Sequence, residues 1–272
     1  SQTTPSRQRR LLWEPLCIAA LNTPAERASA QVLANVLRDS LGGPREASDM
    51  LLPQVDLSAL FPAPAADFVS RHGGRVHLGR RIGGLRREAD TWWIDADGPY
   101  AQVVLAVAPY HIADLLPELA DRVAHFEWEP IVTSYFRYPA GIRLPQPMLG
   151  VDTGLAQSLF DRGQLCGQEG VIAAVISARG RHTELPTAEL EQGIHAEIAR
   201  IVPNLPPPNS VQTITEKRAT FACLPNLQRP STATGLPGLW LAGDYVAGAY
   251  PATLEGAVRS GVAAAKQILA LS

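Results

Sequence analysis

Apolar residues return every fourth position at Leu190, Ile194 and Ile198, with Glu189, Glu191 and Arg200 off that face. The spacing predicts an amphipathic helix over 187–202, stopped by Pro203. A second helix is predicted in AERASAQVLANVLRDSLGG, where Val32, Val36 and Leu37 share a face and Gly42-Gly43 end it. Before it, LLWEPLCIAALNTP reads as a short apolar helical segment broken by Pro15 and Pro24. Prolines at 53, 62 and 64 predict loop and short turns over 51–64, then a short helix over 65–71 ending at Gly73-Gly74. The period then shortens to two. Strands are predicted over 76–78, 82–86, 91–95 and 102–107, with Asp97-Gly98 as a tight turn between the last two. The run QVVLAVA is apolar throughout, as in a strand buried on both faces. The Ala-Pro after it starts a short helix carrying Ile112, Leu115 and Leu116. From 126 to 221, IVTSYFRY and VQTITEKRA alternate, LAQSLFDR alternates weakly, and VIAAVIS is solidly apolar. Together they predict a mixed, antiparallel sheet covered by the 187–202 helix.

The two periods predict an α/β (α+β mixed) fold, and 272 residues are enough for two moderate cores. With 46% hydrophobic and 18% charged residues the chain is a globular sequence, not a disordered one. A formal net charge of −2 supplies no attraction to nucleic acid. Cys17, Cys166 and Cys223 form no CxxC and have no histidine at ligand spacing, so neither a metal site nor a disulfide framework is expected. Reduced thiols point to a cytoplasmic protein. No apolar run reaches the roughly 18 residues of a membrane span. The first residue is not Met and the start is the polar stretch SQTTPSRQRR, so a processed or partial chain is expected.

The densest chemistry lies in GLWLAGDYVAGAYPATLEGAVRSGVAAAKQIL. A short buried strand ends on Gly243-Asp244, at the edge where ligands bind layered α/β proteins. An acid there can accept hydrogen bonds from the hydroxyls of a sugar or sugar alcohol. The small-residue loop 245–250 lets backbone approach a ligand. Pro251 suits the first turn of a helix whose free N–H groups, at Thr253 and Leu254, would face an anion or an electron-rich carbonyl. A plain strand–loop–helix terminus is the alternative.

This stretch resembles the carboxyl-terminal FAD motif of the flavin amine oxidase and phytoene desaturase superfamily. The resemblance implies that Gly243 and Asp244 lie at the ribityl chain and that Ala252, Thr253 and Leu254 face the pyrimidine end of the isoalloxazine ring. GGRVHLGRRIGGL is similar to a second family stretch, which puts Ile82 on the adenine side of FAD. LLWEPLCIAALNTP, SDMLLPQVDLSALFP and EKRATFACLPNLQRP look like the bacterial hydroxysqualene dehydroxylases of hopanoid biosynthesis. The resemblance implies an FAD-dependent oxidoreductase that converts hydroxysqualene to squalene by hydride exchange at flavin N5. Its substrate would be a lipid-like isoprenoid, with peripheral association at the inner membrane. The family's GxGxxG is missing, since no GxG occurs in the chain. Half of an FAD site, neither binding FAD tightly nor turning over, is therefore expected, with the partner βαβ unit elsewhere in the same protein.

On this basis 1–60 is assigned to the helical part of a substrate domain, 61–120 to an FAD-domain segment, 121–235 to the mixed-sheet substrate domain, and 236–272 to the closing strand–loop–helix. Together they make an incomplete Rossmann-like FAD domain plus a substrate domain. Catalytic candidates are Trp13 and Glu14, in the most family-specific segment, and Tyr250 beside the cofactor loop, with Tyr245 as a second ring there. The structural alternatives are a core Trp13, a Glu14 that caps the turn at Pro15, and packed tyrosines. Trp92-Trp93 fit a hairpin. The competing functions are a carotenoid desaturase or amine oxidase on the same scaffold, or a non-catalytic binding module without a nucleotide half.

Overall fold

The computed structural model describes residues 7–152 and 154–271. The chain divides into two compact units. One comprises residues up to Ala25 with Pro44–Leu78 and Glu129–Ala219, the other Glu26–Gly43, Gly79–Trp128 and the residues from Thr220 onward. Both mix helices with sheet.

Five strands lie in the order Met148–Gly150, Ser158–Asp161, Val171–Ser177, Trp128–Arg137 and Ser210–Phe221, all of the first unit but for Trp128, Thr220 and Phe221. The first three pairings in that order are antiparallel. Alternation decides the faces. Val132, Ser134 and Phe136 stand opposite Ile176, Ala174 and Ile172, and Leu190, Ile194 and Ile198 of the Thr187–Ile201 helix join them in one core. Ile194 and Ile198 expose no surface, and each such side chain contributes about 1.5–3 kcal/mol by leaving water. The opposite face carries Ile131, Thr133, Tyr135, Phe160 and Val175, all half-buried.

Two expectations about prolines are overturned in this unit. Pro15 breaks nothing, because Arg9–Trp13 forms a turn of π-helix that runs into the helix Glu14–Leu21 with Pro15 in its first turn. The wider π-turn just before it leaves room for a residue that gives no amide to the preceding turn. At a free helix start, by contrast, the first amides have no intrahelical acceptor and a missing N–H costs nothing. For the same reason a helix begins at Pro62 and runs as Pro62–Arg71 instead of starting after Pro64. A turn of helix, Leu57–Leu60, precedes it, capped by the Asp56 carboxylate on the Ala59 amide.

The Glu14–Leu21 helix stops at Asn22, which is left-handed at φ 46° and gives its amide to the Ile18 carbonyl. Its buried side chain joins two central strands. Oδ1 accepts from the Ala178 amide at 2.6 Å, while Nδ2 faces the carbonyls of Glu129 and Pro130 at 3.5 and 3.4 Å. Asn22→Ala leaves that amide unsatisfied and forces a Cβ-bearing residue without the local hydrogen bond into left-handed backbone, so a loss of about 2–4 kcal/mol is expected in urea denaturation. Asn22→Gly, which keeps the backbone at ease, is expected to lose about 1–2 kcal/mol less.

The second unit contains a three-stranded antiparallel sheet, Leu85–Glu88, Thr91–Ile94 and Asp97–Tyr100. No strand forms over 76–78, and the expected 82–86 strand begins at Leu85. The Asp97-Gly98 turn is also corrected, because the chain reverses at Asp95-Ala96. Asp95 is left-handed, at φ 53°, and its carboxylate accepts the amides of Gly83 and Gly84 at 2.9 and 3.0 Å. A parallel pair, Val103–Leu105 and Leu239–Leu241, sets Trp240 opposite Val104. Val103 and Leu105 are buried but Val104 is 41% exposed, so this strand is buried on one face and not on both. Trp92, 1% exposed, fixes the hairpin by donating its indole N–H to the Pro237 carbonyl at 2.8 Å. The unit also holds the helices Ala30–Leu41, capped by Ser29, Ile112–Leu115, which stops one residue short of the expected Leu116, and Leu254–Leu269. No described helix is long and apolar enough to cross a membrane.

Candidate functional site

The strand Leu239–Leu241 is wholly buried and leaves the core through Ala242 to Gly243-Asp244. Gly243 sits at φ 152°, and a Cβ there would come within 2.4 Å of the Tyr245 ring. Only glycine lets the chain turn this close to a buried aromatic. Ser260, on the last helix, locks the strand end. Its Oγ accepts from the Gly243 amide at 2.8 Å and shares its own proton with the carbonyls of Gly243 and Ala257, at 3.0 and 2.6 Å. Ser260, in the second turn of the helix, thus ties that helix to the strand end.

That start is at Leu254, three residues later than the expected Pro251. Thr253 is extended at φ −137° and ψ 156°, and its Oγ1 accepts from the Gly256 amide at 3.1 Å. A hydroxyl that satisfies one first-turn donor makes a stronger boundary than a favourable proline φ. The first-turn amides of Leu254 and Glu255 have no acceptor within the helix. Ala252 and Thr253 are half-buried, and Leu254 is exposed.

Asp244 is half-buried. Burial raises its carboxyl pKa, opposed by the Tyr245 amide and by the positive charge of Arg229. The hydroxyl of Tyr245 is buried with no hydrogen-bond partner, and burial pushes its pKa well up. The same ring packs edge-on against Phe126, with centroids 6.4 Å apart.

The loop from Asp244 to Tyr250 is held from behind by Arg229. Nε donates to the Tyr245 carbonyl at 3.3 Å, and Nη1 donates to those of Gly248 and Tyr250 at 3.2 and 2.6 Å. Nη2 donates to the carbonyls of Asp244 and Val246. The guanidinium lies over the Phe221 ring at 4.9 Å, and burial lowers its pKa against the opposing influence of Cys223 and Asp244. Further ties come from the Ala30–Leu41 helix. Asn35 donates to the Ala249 carbonyl at 3.2 Å, and Tyr250 gives its hydroxyl proton to Asp39 at 2.7 Å. That bond lowers the Asp39 pKa and raises that of Tyr250.

Gly243, Asp244, Tyr250, Ala252, Thr253 and Leu254 therefore share one strand–loop–helix of the second unit. Ile82, half-buried, belongs to the same unit and precedes the first strand of its three-stranded sheet. Trp13 and Glu14 belong to the first unit. Trp13 is 47% exposed, which rules out the core alternative, and the Glu14 carboxylate meets Arg9 Nε at 2.7 Å. Tyr250 has its hydroxyl committed to Asp39. Sequence reading missed Arg229, although it lies in the quoted segment EKRATFACLPNLQRP.

The site suits a group that carries both hydroxyls and an electron-rich ring edge. A half-buried carboxylate offers acceptors and helix amides offer donors, while the space that a Cβ at Gly243 would take is filled by the Tyr245 ring.

Residues 39–269 match the model of the family described as flavin containing amine oxidoreductase. A hydroxysqualene dehydroxylase of Sinorhizobium fredii is 35% identical over 97% of this chain and 62% of its own length. One from Rhodopseudomonas palustris is 34% identical over 95% of this chain and 62% of its own length. The chain thus spans somewhat under two thirds of the curated relatives it matches. Among solved structures, a putrescine oxidase variant superposes with a TM-score of 0.65 at 16% identity, covering 100% of this chain and 66% of that one.

Proposed function

The chain belongs to the flavin containing amine oxidoreductase family, and from that premise we propose that it forms part of an FAD-dependent oxidoreductase acting on a squalene-type isoprenoid. The observation that carries the substrate class is the match to hydroxysqualene dehydroxylases over nearly the whole chain. The likeness to putrescine oxidase, at 16% identity, speaks for the fold alone.

In this reading Gly243 and Asp244 hold the ribityl chain, with the Asp244 carboxylate accepting from its hydroxyls. The amides at Leu254 and Glu255 lie towards the pyrimidine end, where a helix start favours negative charge. Ile82 lines the adenine side. Replacing C–OH by C–H consumes two electrons and two protons and releases water; the flavin, when bound, supplies the hydride. The half-buried sheet face with Ile131, Thr133, Tyr135, Phe160 and Val175 would give a largely apolar wall for a hydrocarbon chain. Leu11, Leu12 and Trp13, 37%, 52% and 47% exposed, suit peripheral contact with the lipid in which such a substrate dissolves.

The test uses the natural protein that contains this chain, chemically reduced, with hydroxysqualene, a polyene precursor and simple amines assayed in parallel. Squalene formation from hydroxysqualene is expected, together with a flavin absorbance band in the purified protein and co-flotation with liposomes. Turnover of amines alone would overturn the substrate assignment, and a flavin-free protein would leave a binding module without redox chemistry.

A further inference from the structure

Five backbone carbonyls within seven consecutive residues, those of Asp244, Tyr245, Val246, Gly248 and Tyr250, converge on one guanidinium. Carbonyl dipoles pointed at a common centre repel one another and would not adopt this arrangement unaided. The middle of the loop, Ala247-Gly248-Ala249, is exposed and has no side chain long enough to anchor it. A guanidinium has five N–H donors in a fixed planar fork. Arg229 spends all five on this loop, with the Phe221 ring beneath its plane. No N–H remains for a ligand, so Arg229 can act on one only through the backbone it shapes.

We propose that Arg229 is a positioning residue. Its guanidinium moulds the Asp244–Tyr250 loop so that the Asp244 carboxylate and the Thr253-capped helix start face the flavin together. The inference rests on the flavin reading above and adds to it a residue outside the strand–loop–helix. A lysine in its place keeps the charge but has three donors on a flexible stem, which cannot serve five fixed carbonyls. A glutamine keeps part of the length and loses the charge.

Arg229→Lys and Arg229→Gln in the natural protein separate geometry from charge. FAD affinity is read by titration of the apoprotein, the midpoint potential at saturating FAD, and apoprotein melting as the control for folding. Both variants are expected to bind FAD at least about 10-fold more weakly, by roughly one charge-assisted hydrogen bond's worth of alignment. With Arg229→Gln the midpoint potential is expected to move negative, because a cation behind the loop favours the anionic reduced ring. Arg229→Lys is expected to hold the wild-type potential. If the wild type binds flavin and both variants bind it equally well, the inference fails while the cofactor reading stands. If affinity falls only in step with apoprotein melting and the potential is unchanged in Arg229→Gln, the residue is merely structural and the proposal is overturned. A wild type that binds no flavin removes the cofactor reading itself, and this inference with it.

Discussion

Asp244→Asn is expected to weaken FAD binding by the natural protein roughly 10- to 150-fold, the worth of one hydrogen bond to a charged acceptor, while leaving the apoprotein as stable at neutral pH or more so. The two effects have opposite signs because they come from different states. In the apoprotein the carboxylate is half-buried, and burial raises its pKa above the value in the unfolded chain. The folded state therefore binds the proton more tightly than the unfolded state. Stability is full below the unfolded value, falls as pH rises through the window up to the folded pKa, and stays reduced above it. Asn does not titrate, and its Oδ1 can still accept from the Tyr245 amide. The variant should therefore gain on the wild type in melting at neutral pH and match it in acid. The ribityl hydroxyls, by contrast, lose an ionised acceptor for a neutral one. Such a trade of apoprotein stability for ligand affinity is expected of a charge kept partly dry for a purpose. Unchanged flavin affinity, or a variant whose relative stability drops as pH rises, would remove Asp244 from this role.

The strand–loop–helix was legible because its signals are local: an apolar run, a Gly-Asp end, small residues, then a helical stripe. Its boundary was not. Pro251 and Thr253 are both good starting residues, and the decision fell to a hydroxyl bonding the Gly256 amide, which depends on loop shape. Pro15, Pro62 and Pro64 have the local signature of breakers, yet all three lie where a helix can accept proline. At the hairpin, Asp97-Gly98 has the stronger local turn signature. The reversal moved to Asp95 because its carboxylate finds two amides eleven and twelve residues back, a tertiary contact absent from any pattern. Arg229 was hidden for a related reason. Its partners are backbone carbonyls 15 to 21 residues onward, and carbonyls have no sequence signature. Asn22 is a further such case. The Asn of the Asn-Thr-Pro that ends LLWEPLCIAALNTP stitches two strands and holds a left-handed backbone, roles that its place in the sequence does not announce.

Gly243→Ala should be the most damaging single methyl that the site can receive. The added Cβ would lie 2.4 and 2.7 Å from two carbons of the Tyr245 ring, closer than carbon atoms approach without displacement. The ring cannot swing away, since Tyr245 is 1% exposed and abuts Phe126. The backbone cannot relax readily either, because φ 152° is a region that side-chain-bearing residues avoid at a cost of about 1–3 kcal/mol. Overpacking adds about 1–3 kcal/mol more. A loss of about 2–6 kcal/mol in urea denaturation is therefore expected, with flavin binding abolished, because the strand end that must shift carries Asp244. A double-mutant cycle separates the causes. In a Tyr245→Ala background the steric part disappears and Gly243→Ala should cost only the backbone part, about 1–3 kcal/mol. Strict additivity of the two substitutions would mean that ring and glycine do not meet as described. Full flavin affinity in the single variant would mean that the position of the strand end is not what the cofactor reads.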